Sequence, residues 1–415
     1  MLLKDRNIII GVTSSVAIHK AIDLVSQLVK LDVSVYVVMT ENATKLVAPL
    51  QFRTISRNPV FCDLFAENLS WKPVHIELAD SADLLAIVPA TANIIGKLAH
   101  GIADDMLSTT AISVHCPILI APAMNCYMYT NPVVQENLKI LKSRGVEIAE
   151  PEEGRLACGY EGKGRLQDIN KIIEHIQAIL TQKKDFAGKR VLVTAGPTRE
   201  YIDPVRFISN KSSGKMGYAI AQAAQYRGAR VTLISGPTYL QAPQGVELIP
   251  VETAMEMRDT TLACADEADI IIMAAAVADY RPYETKSHKI KKTADELVLN
   301  LQRNPDILME LGALKKSQIL VGFAAETEDE IPNAQEKLMK KKLDLIVVNN
   351  VLQEGAGFDV DTNIVTLIDK NGALEKLPLL SKFDVANIVL EKIFSVIESR
   401  EQKQRPYGGA TNACS

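Results

Sequence analysis

Three side chains in the first half of this sequence suit the handling of protons and carboxylates: His75, Asn125 and Cys158. His75 lies in Pro73-Val74-His75-Ile76-Glu77-Leu78, at or near a helix start, where an imidazole is either a surface or capping residue or a base. Asn125 follows Met124 at a strand end and can cap a helix or hold a carboxylate. Cys158 sits in GRLACGYEGKGR (154–165), whose four glycines and two arginines describe a flap able to fold over an anion. A thiol inside a basic flap has a lowered pKa and exchanges protons near neutrality, so a chemical role for Cys158 is favoured over a buried small hydrophobe.

The second half carries a different set. Val191–Thr194 is a short β-branched run that breaks into Ala195-Gly196-Pro197-Thr198, and Ser209-Asn210-Lys211-Ser212-Ser213-Gly214-Lys215 then leads into a helix at about Met216. A strand that runs through a Gly/Ser loop into a helix N-terminus aims unpaired N–H groups and the helix dipole at one spot, which makes an anion site. The chain does the same once before, at Asn7–Lys20. Downstream, Ala274-Ala275-Ala276-Val277-Ala278-Asp279 ends a buried strand in side chains small enough for a flat ring to approach the backbone, with Asp279 placed to read its edge or bind a metal. Lys286, Lys289, Lys291 and Lys292 form a basic run that is either a solvated face or a phosphate clamp. No P-loop and no GxGxxG occurs, so a nucleotide would be held in neither the Walker nor the dinucleotide manner.

These residues must be positioned by alternating strands and helices. Strand-like runs fall at Ile8–Val12, Val33–Met39, Leu84–Val88, Ile118–Ala121 and Val146–Ala149, with helical patterns at Val16–Leu31, Asn131–Ser143 and Asp168–Leu180. A second series has strands at Val191–Ala195, Arg230–Ile234, Val246–Pro250, Ile270–Ala274, Ile319–Phe323 and Leu345–Val348, with helices near Gly217–Tyr226, Ala254–Cys264, Asp306–Lys315 and Ala334–Lys342. Leu297–Leu301 alternates like a returning strand, Asn363–Ile368 like another, and Phe383–Ile397 is helical. The fold class is therefore α/β: two tandem Rossmann-like three-layer domains with mostly parallel sheets, at 1–183 and 184–400, followed by a polar tail, 401–415, expected to be disordered.

With 415 residues, 47% hydrophobic and a net charge of −4, the composition is that of a soluble protein, against non-specific nucleic-acid binding. No apolar stretch reaches the roughly 20 residues that span a bilayer, and the start is too short in apolar residues for a signal peptide. Six cysteines without zinc spacing suggest reduced thiols and a cytoplasmic enzyme.

PATANIIGKLAHGIADDMLST (89–109), APAMNCYMYTNP (121–132) and GRLACGYEGKGR together resemble the flavin-containing cysteine decarboxylases. More narrowly, they resemble the decarboxylase half of the bifunctional phosphopantothenoylcysteine decarboxylase/phosphopantothenate–cysteine ligases of coenzyme A synthesis. The resemblance implies FMN at Gly11, Thr13, Ser14, Ser15, Thr40, Thr91, Asn93, Ser108 and Met124. The familiar motif has serine or glycine where Thr13 and Thr91 stand, and both keep a hydroxyl. It also implies that His75 is the base assisting thiol oxidation, that Asn125 binds the substrate carboxylate, and that Cys158 protonates the enethiolate left by loss of CO2.

AGPTREYIDPVRFISNKSSGKMG, AAAVADYRP, KIKK, NPDIL (304–308) and VGFAAET (321–327) resemble the ligase half of the same family, over nearly all of Gly188 to about Asn350. This implies CTP at Ala274, Ala275, Ala276, Asp279, Lys289, Pro305, Asp306, Ile307, Leu308, Phe323, Lys337 and Lys341, with Mg2+ on the phosphates, near Asp279 if the protein supplies a ligand. Lys289 would steady the triphosphate as an acyl-cytidylate forms, and Asn210 would orient that intermediate for the cysteine amine. The substrates implied are 4′-phosphopantothenate and L-cysteine, and the assembly a homo-oligomer, a dodecamer of trimerising decarboxylase and dimerising ligase halves. Rival readings are a decarboxylase of peptide C-terminal cysteines, an NAD(P)-dependent oxidoreductase, which the missing GxGxxG weakens, and a non-catalytic flavoprotein subunit. The joint presence of His75, Asn125 and Cys158 speaks against the last.

Overall fold

The computed structural model describes residues 3–65, 71–155, 159–181, 183–291, 297–326, 330–350, 357 and 360–404. It divides into two compact units between residues 182 and 183.

The first unit holds β1 (Asn7–Val12), α1 (Ile18–Lys30), β2 (Ser34–Met39), α2 (Glu41–Thr44), α3 (Pro49–Ser56), β3 (Val60–Phe61), α4 (Val74–Ser81) and β4 (Leu84–Ala90). It continues through α5 (Ala92–His100), α6 (Met106–Ser113), β5 (Ile118–Pro122), α7 (Cys126–Tyr129), α8 (Pro132–Ser143), β6 (Glu147–Ile148), the hairpin β7 (Glu152–Arg155) and β8 (Glu161–Arg165), and α9 (Ile169–Leu180). Six strands form one parallel sheet in the order β3-β2-β1-β4-β5-β6. Parallel strands covered on both faces read as unbroken apolar runs, and every residue of β4 is buried. On one face α1 lays down Ile18, Ala21, Leu24, Val25 and Leu28 beside residues of α3 and α9. On the other, α5, α6 and α8 pack over Ile9, Leu85, Ile87 and Ile120. The strand order reverses at β1, between β2 and β4, so a crevice opens at the carboxyl ends of β1 and β4.

The second unit repeats the plan. Its main elements are β9 (Arg190–Ala195), the pair β10 (Arg199–Tyr201) and β11 (Phe207–Ser209), α10 (Lys215–Tyr226), β12 (Arg230–Ser235), β13 (Glu247–Pro250), α11 (Ala254–Ala265) and β14 (Ile270–Met273). Then follow the pair β15 (Tyr280–Pro282) and β16 (Leu301–Arg303), α12 (Ile307–Leu314), β17 (Ile319–Glu326), α13 (Glu330–Lys340), β18 (Leu345–Asn350), β19 (Thr362–Asn363), β20 (Val365–Asp369), β21 (Leu374–Lys376), β22 (Leu380–Ser381) and α14 (Lys382–Gln404). The eight-stranded sheet runs β13-β12-β9-β14-β17-β18-β20-β21, parallel as far as β18 and antiparallel beyond. Its switch point is at β9, flanked by β12 and β14. One face is covered by α10 and α14, the other by α11, α12 and α13.

Two expectations shift. The returning strand begins at Leu301, where pairing with Pro282 starts, and not at Leu297. The last helix runs to Gln404, so residues 401–404 are helical and not tail. Its final turns, ESREQKQ, lack apolar periodicity, but Arg400 fastens them: its guanidinium reaches Asp344 (2.6 Å) and the Ser317 carbonyl (2.7 Å). Residues 405–415 lie outside the described residues.

Candidate active sites

At the end of β1 the chain turns through Thr13-Ser14-Ser15 into α1. Thr13 is 1% exposed; its Oγ1 donates to the Pro89 carbonyl (2.7 Å) and accepts the Thr91 N–H (3.1 Å). The Ser15 hydroxyl donates to the Ala123 carbonyl (3.1 Å). These bonds stitch together the ends of β1, β4 and β5. A hollow of about 590 Å³ opens beside them, lined by Ser15, His19, Lys20, Met124, Asn125, Arg155 and Arg165. Among the described residues three cations and no carboxylate line it, so its electrostatics favour an anion.

Asn125 is the N-cap of α7: its Oδ1 accepts the Tyr127 N–H (2.9 Å). The glycine-rich segment forms the hairpin β7–β8, and its second strand lies directly on the turn that carries Asn125. Met124 N–H donates to the Gly164 carbonyl (3.0 Å), and a Cβ at Gly164 would stand 2.4 Å from the Met124 oxygen. Lys163 pairs with Glu150 (2.9 Å) and lies 5.5 Å over the Tyr129 ring. The base of the expected flap is thus anchored, and Arg155 and Arg165 face the hollow from it. Leu156, Ala157 and Cys158 lie outside the described residues.

The other expected cofactor residues surround these strand ends without lining the hollow. Ser108 is wholly buried in a capping box: its N–H donates to Asp105 Oδ1 (2.8 Å) and its Oγ accepts the Asp105 N–H (3.1 Å). Lys97 bridges Asp105 (2.6 Å) and Asp104 (2.5 Å). Burial alone would raise the pKa of Asp105; Lys97 and Ser108 overcome it and hold the carboxyl below its usual range. His75 stands half-buried in the first turn of α4, which packs against α6. Thr40 Oγ1 caps α2, Thr91 precedes α5, Asn93 and Ser14 are exposed, and Gly11 is covered so closely that a Cβ would meet Leu107 at 2.6 Å. His19 and Lys20 were not foreseen; their only mark in sequence is their place in the first turn of a helix that follows a candidate loop. A separate hollow of about 570 Å³, lined by Tyr129, Lys139, Lys142, Glu150 and Lys163 among others, contains none of the expected residues.

The second unit gathers its candidates more completely. The end of β9 meets the end of β14 through a Pro197–Ala276 bridge. Asn210 closes the same corner, its amide nitrogen donating to the carbonyls of Ala276 (3.2 Å) and Val277 (3.0 Å). Gly214, the N-cap of α10, has φ +77°, and a Cβ there would meet Thr238 at 2.7 Å. Two hollows flank the Ala274–Asp279 turn. One, about 420 Å³, is lined by Asn210, the 211–217 turn, Ala274, Ala276, Lys337 and Lys382. The other, about 480 Å³, is lined by Arg303, Pro305, Asp306, Ile307, Leu308 and Lys341. Ala275, Val277, Asp279 and Phe323 belong to both walls. Asp306 caps α12 and pairs with Lys341 (2.9 Å).

Every expected nucleotide contact except Lys289 lines this double hollow. Lys289 is exposed on the 286–291 segment, beside Lys286 and Lys291, and lines neither part; Lys292 lies outside the described residues. Lys382 and Asn363, which do line it, come from the C-terminal elements, where nothing local in sequence marked them. Among the described residues, no group of three or more His, Cys, Asp and Glu side chains is placed to hold a metal ion.

Comparison with known proteins covers both units. Residues 2–181 match the Flavoprotein family, and residues 186–397 match the DNA/pantothenate metabolism flavoprotein C-terminal domain. The chain is 50% identical over 395 residues to the Coenzyme A biosynthesis bifunctional protein CoaBC of Bacillus subtilis, covering 94% of this chain and 97% of that one. It is 44% identical to the protein of the same name from Haemophilus influenzae, covering 95% and 98%. A cysteine/cysteine sulfinic acid decarboxylase from an unknown prokaryotic organism is 46% identical over 85% of this chain and 100% of its own length.

Proposed function

Because this chain belongs to the CoaBC family of bifunctional coenzyme A biosynthesis proteins, with a flavoprotein decarboxylase domain followed by a ligase domain, we propose that its two switch-point sites are the centres of its two reactions. The second unit joins 4′-phosphopantothenate to L-cysteine with CTP. The first removes the cysteinyl carboxylate with FMN, giving 4′-phosphopantetheine. The observation that supports this best is the double hollow, where the expected nucleotide contacts converge from four parts of the fold: the end of β14, the start of α12, β17 and the end of α13.

In the ligase site the Ala274–Ala276 turn admits the flat base, and Lys337, Lys341 and Lys289 supply charge for the triphosphate. Mg2+ is expected on the phosphates themselves. Asn210 holds the acyl-cytidylate for the amine of cysteine.

In the decarboxylase site the residues fit a flavin phosphate and an anionic substrate: strand-end N–H groups and Ser15 on one side, Lys20, Arg155 and Arg165 on the other. Bound FMN supplies the electron acceptor that makes the carboxylate labile. Asn125 orients that carboxylate, His75 takes the thiol proton, and Cys158 returns a proton to the product. The exposed apolar side chains of Phe207, Tyr283, Val298 and Leu301 support self-association of the ligase half, and a dodecamer is the assembly we infer; light scattering of the purified protein tests it. The place of action is the cytoplasm.

The test is a visible spectrum with identification of any released pigment, followed by assay with phosphopantothenate, cysteine and CTP. Released FMN, with pyrophosphate and CO2 formed in equal amounts, is expected. A chain that stays colourless after incubation with FMN overturns the decarboxylase reading, and turnover with ATP alone overturns the choice of CTP. Decarboxylation of free cysteine, suggested by the third relative, is distinguished in the same assay by omitting phosphopantothenate and CTP.

A further inference from the structure

Asp203 is fully buried, yet it lies in the turn between β10 and β11 and lines neither hollow. Its Oδ1 accepts the N–H groups of Val205 (2.8 Å) and Arg206 (2.9 Å), which closes the turn. Its Oδ2 accepts Arg206 Nε (3.0 Å) and Nη2 (2.6 Å), and also the N–H of Ile290 (3.1 Å). Arg206 Nη2 then donates to the Ile290 carbonyl (2.9 Å), so residue 290 is gripped by both its backbone groups. Four residues earlier, Lys286 N–H donates to the Ile202 carbonyl (3.0 Å), and Thr285 Oγ1 donates to the Tyr201 carbonyl (3.0 Å). The segment between these ties carries Lys289, whose own side chain is exposed. The Arg206 guanidinium, with the backbone N–H groups, holds the Asp203 carboxyl well below the usual carboxylate range, so it stays an acceptor-only anchor under all ordinary conditions.

A turn that needed only closing would be served by the two bonds to Oδ1. At Oδ2 two bonds come from Arg206 within the turn, and the third, from the Ile290 N–H, reaches the lysine segment 87 residues away in sequence. The structure assigns Asp203 as a positioning residue for Lys289: through Ile290 and Arg206 it fixes the backbone from which that lysine reaches a bound triphosphate. This rests on the reading of Lys289 as a CTP contact given above. A long lysine on an unanchored loop must order both backbone and side chain on binding, and an anchored one only the side chain, so the anchor should appear in affinity for the nucleotide.

The experiment is equilibrium titration of the full chain with CTP for the wild type, Asp203→Asn, Lys289→Gln and the double variant. Asp203→Asn turns an amide donor toward the Ile290 N–H or toward Arg206, and is expected to weaken CTP binding about tenfold. In the Lys289→Gln background the same change is expected to alter affinity less than about twofold, because the group it positions is gone. Ile290→Pro removes the N–H on the lysine segment, while also fixing φ at 290 and restricting residue 289, and is expected to reproduce the loss with the turn intact. The thermal transition of the second unit reports its folding and should be retained, and decarboxylation of 4′-phosphopantothenoylcysteine, which belongs to the first unit, should not change. Equal losses from Asp203→Asn in both backgrounds, or full affinity in Asp203→Asn or Ile290→Pro while Lys289→Gln is impaired, would overturn the positioning role. Full affinity in Lys289→Gln alone overturns the reading of Lys289 itself, and the positioning role with it.

Discussion

The Thr13 hydroxyl ties the end of β1 to the end of β4. The family resemblance placed this residue among the cofactor contacts, and its hydroxyl is engaged within the protein, donating to Pro89 and accepting from Thr91. Sequence shows that a hydroxyl stands at a strand end and cannot show which way it points. Thr13→Val keeps the shape and strips two buried partners, and should cost about 1–3 kcal/mol in a thermal melt of the flavin-loaded chain, with Thr13→Ser close to wild type. Asn210 was legible as part of an anion loop, while its grip on Ala276 and Val277 was not. Asn210→Asp sets a carboxylate against two carbonyl oxygens and should displace the loop, so that acyl-cytidylate forms and persists; rapid-quench analysis would show the accumulated intermediate, and normal turnover would refute its orienting role. Cys158→Ser should still release CO2 while the visible flavin absorbance stays bleached, because the proton return fails; unchanged turnover would remove that residue from the reaction.

Elements with a clear local apolar pattern were read nearly to the residue, as for β2, β5 and α9, and α11 was placed nearly as well although its apolar pattern is weak. Those set by distant contacts were not. The hairpin β7–β8 has the composition of a loop; it is ordered because Gly164 lets it lie on the Met124 carbonyl. Gly164→Ala should push this strand off the turn that carries Asn125 and reduce decarboxylation at least tenfold, leaving ligation intact in the same preparation. The last turns of α14 depend likewise on Asp344, which is 2% exposed and meets Lys315 (2.6 Å) and Arg400 (2.6 Å). Burial by itself would raise the Asp344 pKa; Lys315, the Leu320 N–H and Arg400 reverse this and leave it below its usual value. A depressed folded-state pKa gives stability that is complete above the unfolded carboxylate pKa of about 4 and is lost as pH falls through the lower folded value. Asp344→Asn should therefore lower stability near neutrality and flatten its acid dependence below about pH 4, which urea titrations at several pH values would show.

At the scale of the whole molecule, the repeated strand–loop–helix opening was enough to announce two α/β units, each with its own apolar clusters. Strand order was not legible, because the position of β9 between β12 and β14 follows from crossover handedness and not from any local pattern. Separate cores imply separate responses to ligands. Calorimetry should show FMN raising one transition and CTP the other, each by about 2.7 kcal/mol at a hundredfold excess over Kd; a single transition raised by both would contradict this. The wall shared by the two hollows of the second unit has a practical consequence. Small fragments that settle on either side of Asp279 and Phe323 would have growth vectors converging on the same partition, so a chemist could join them by a short tether. The joined compound would draw on contacts from both hollows at once.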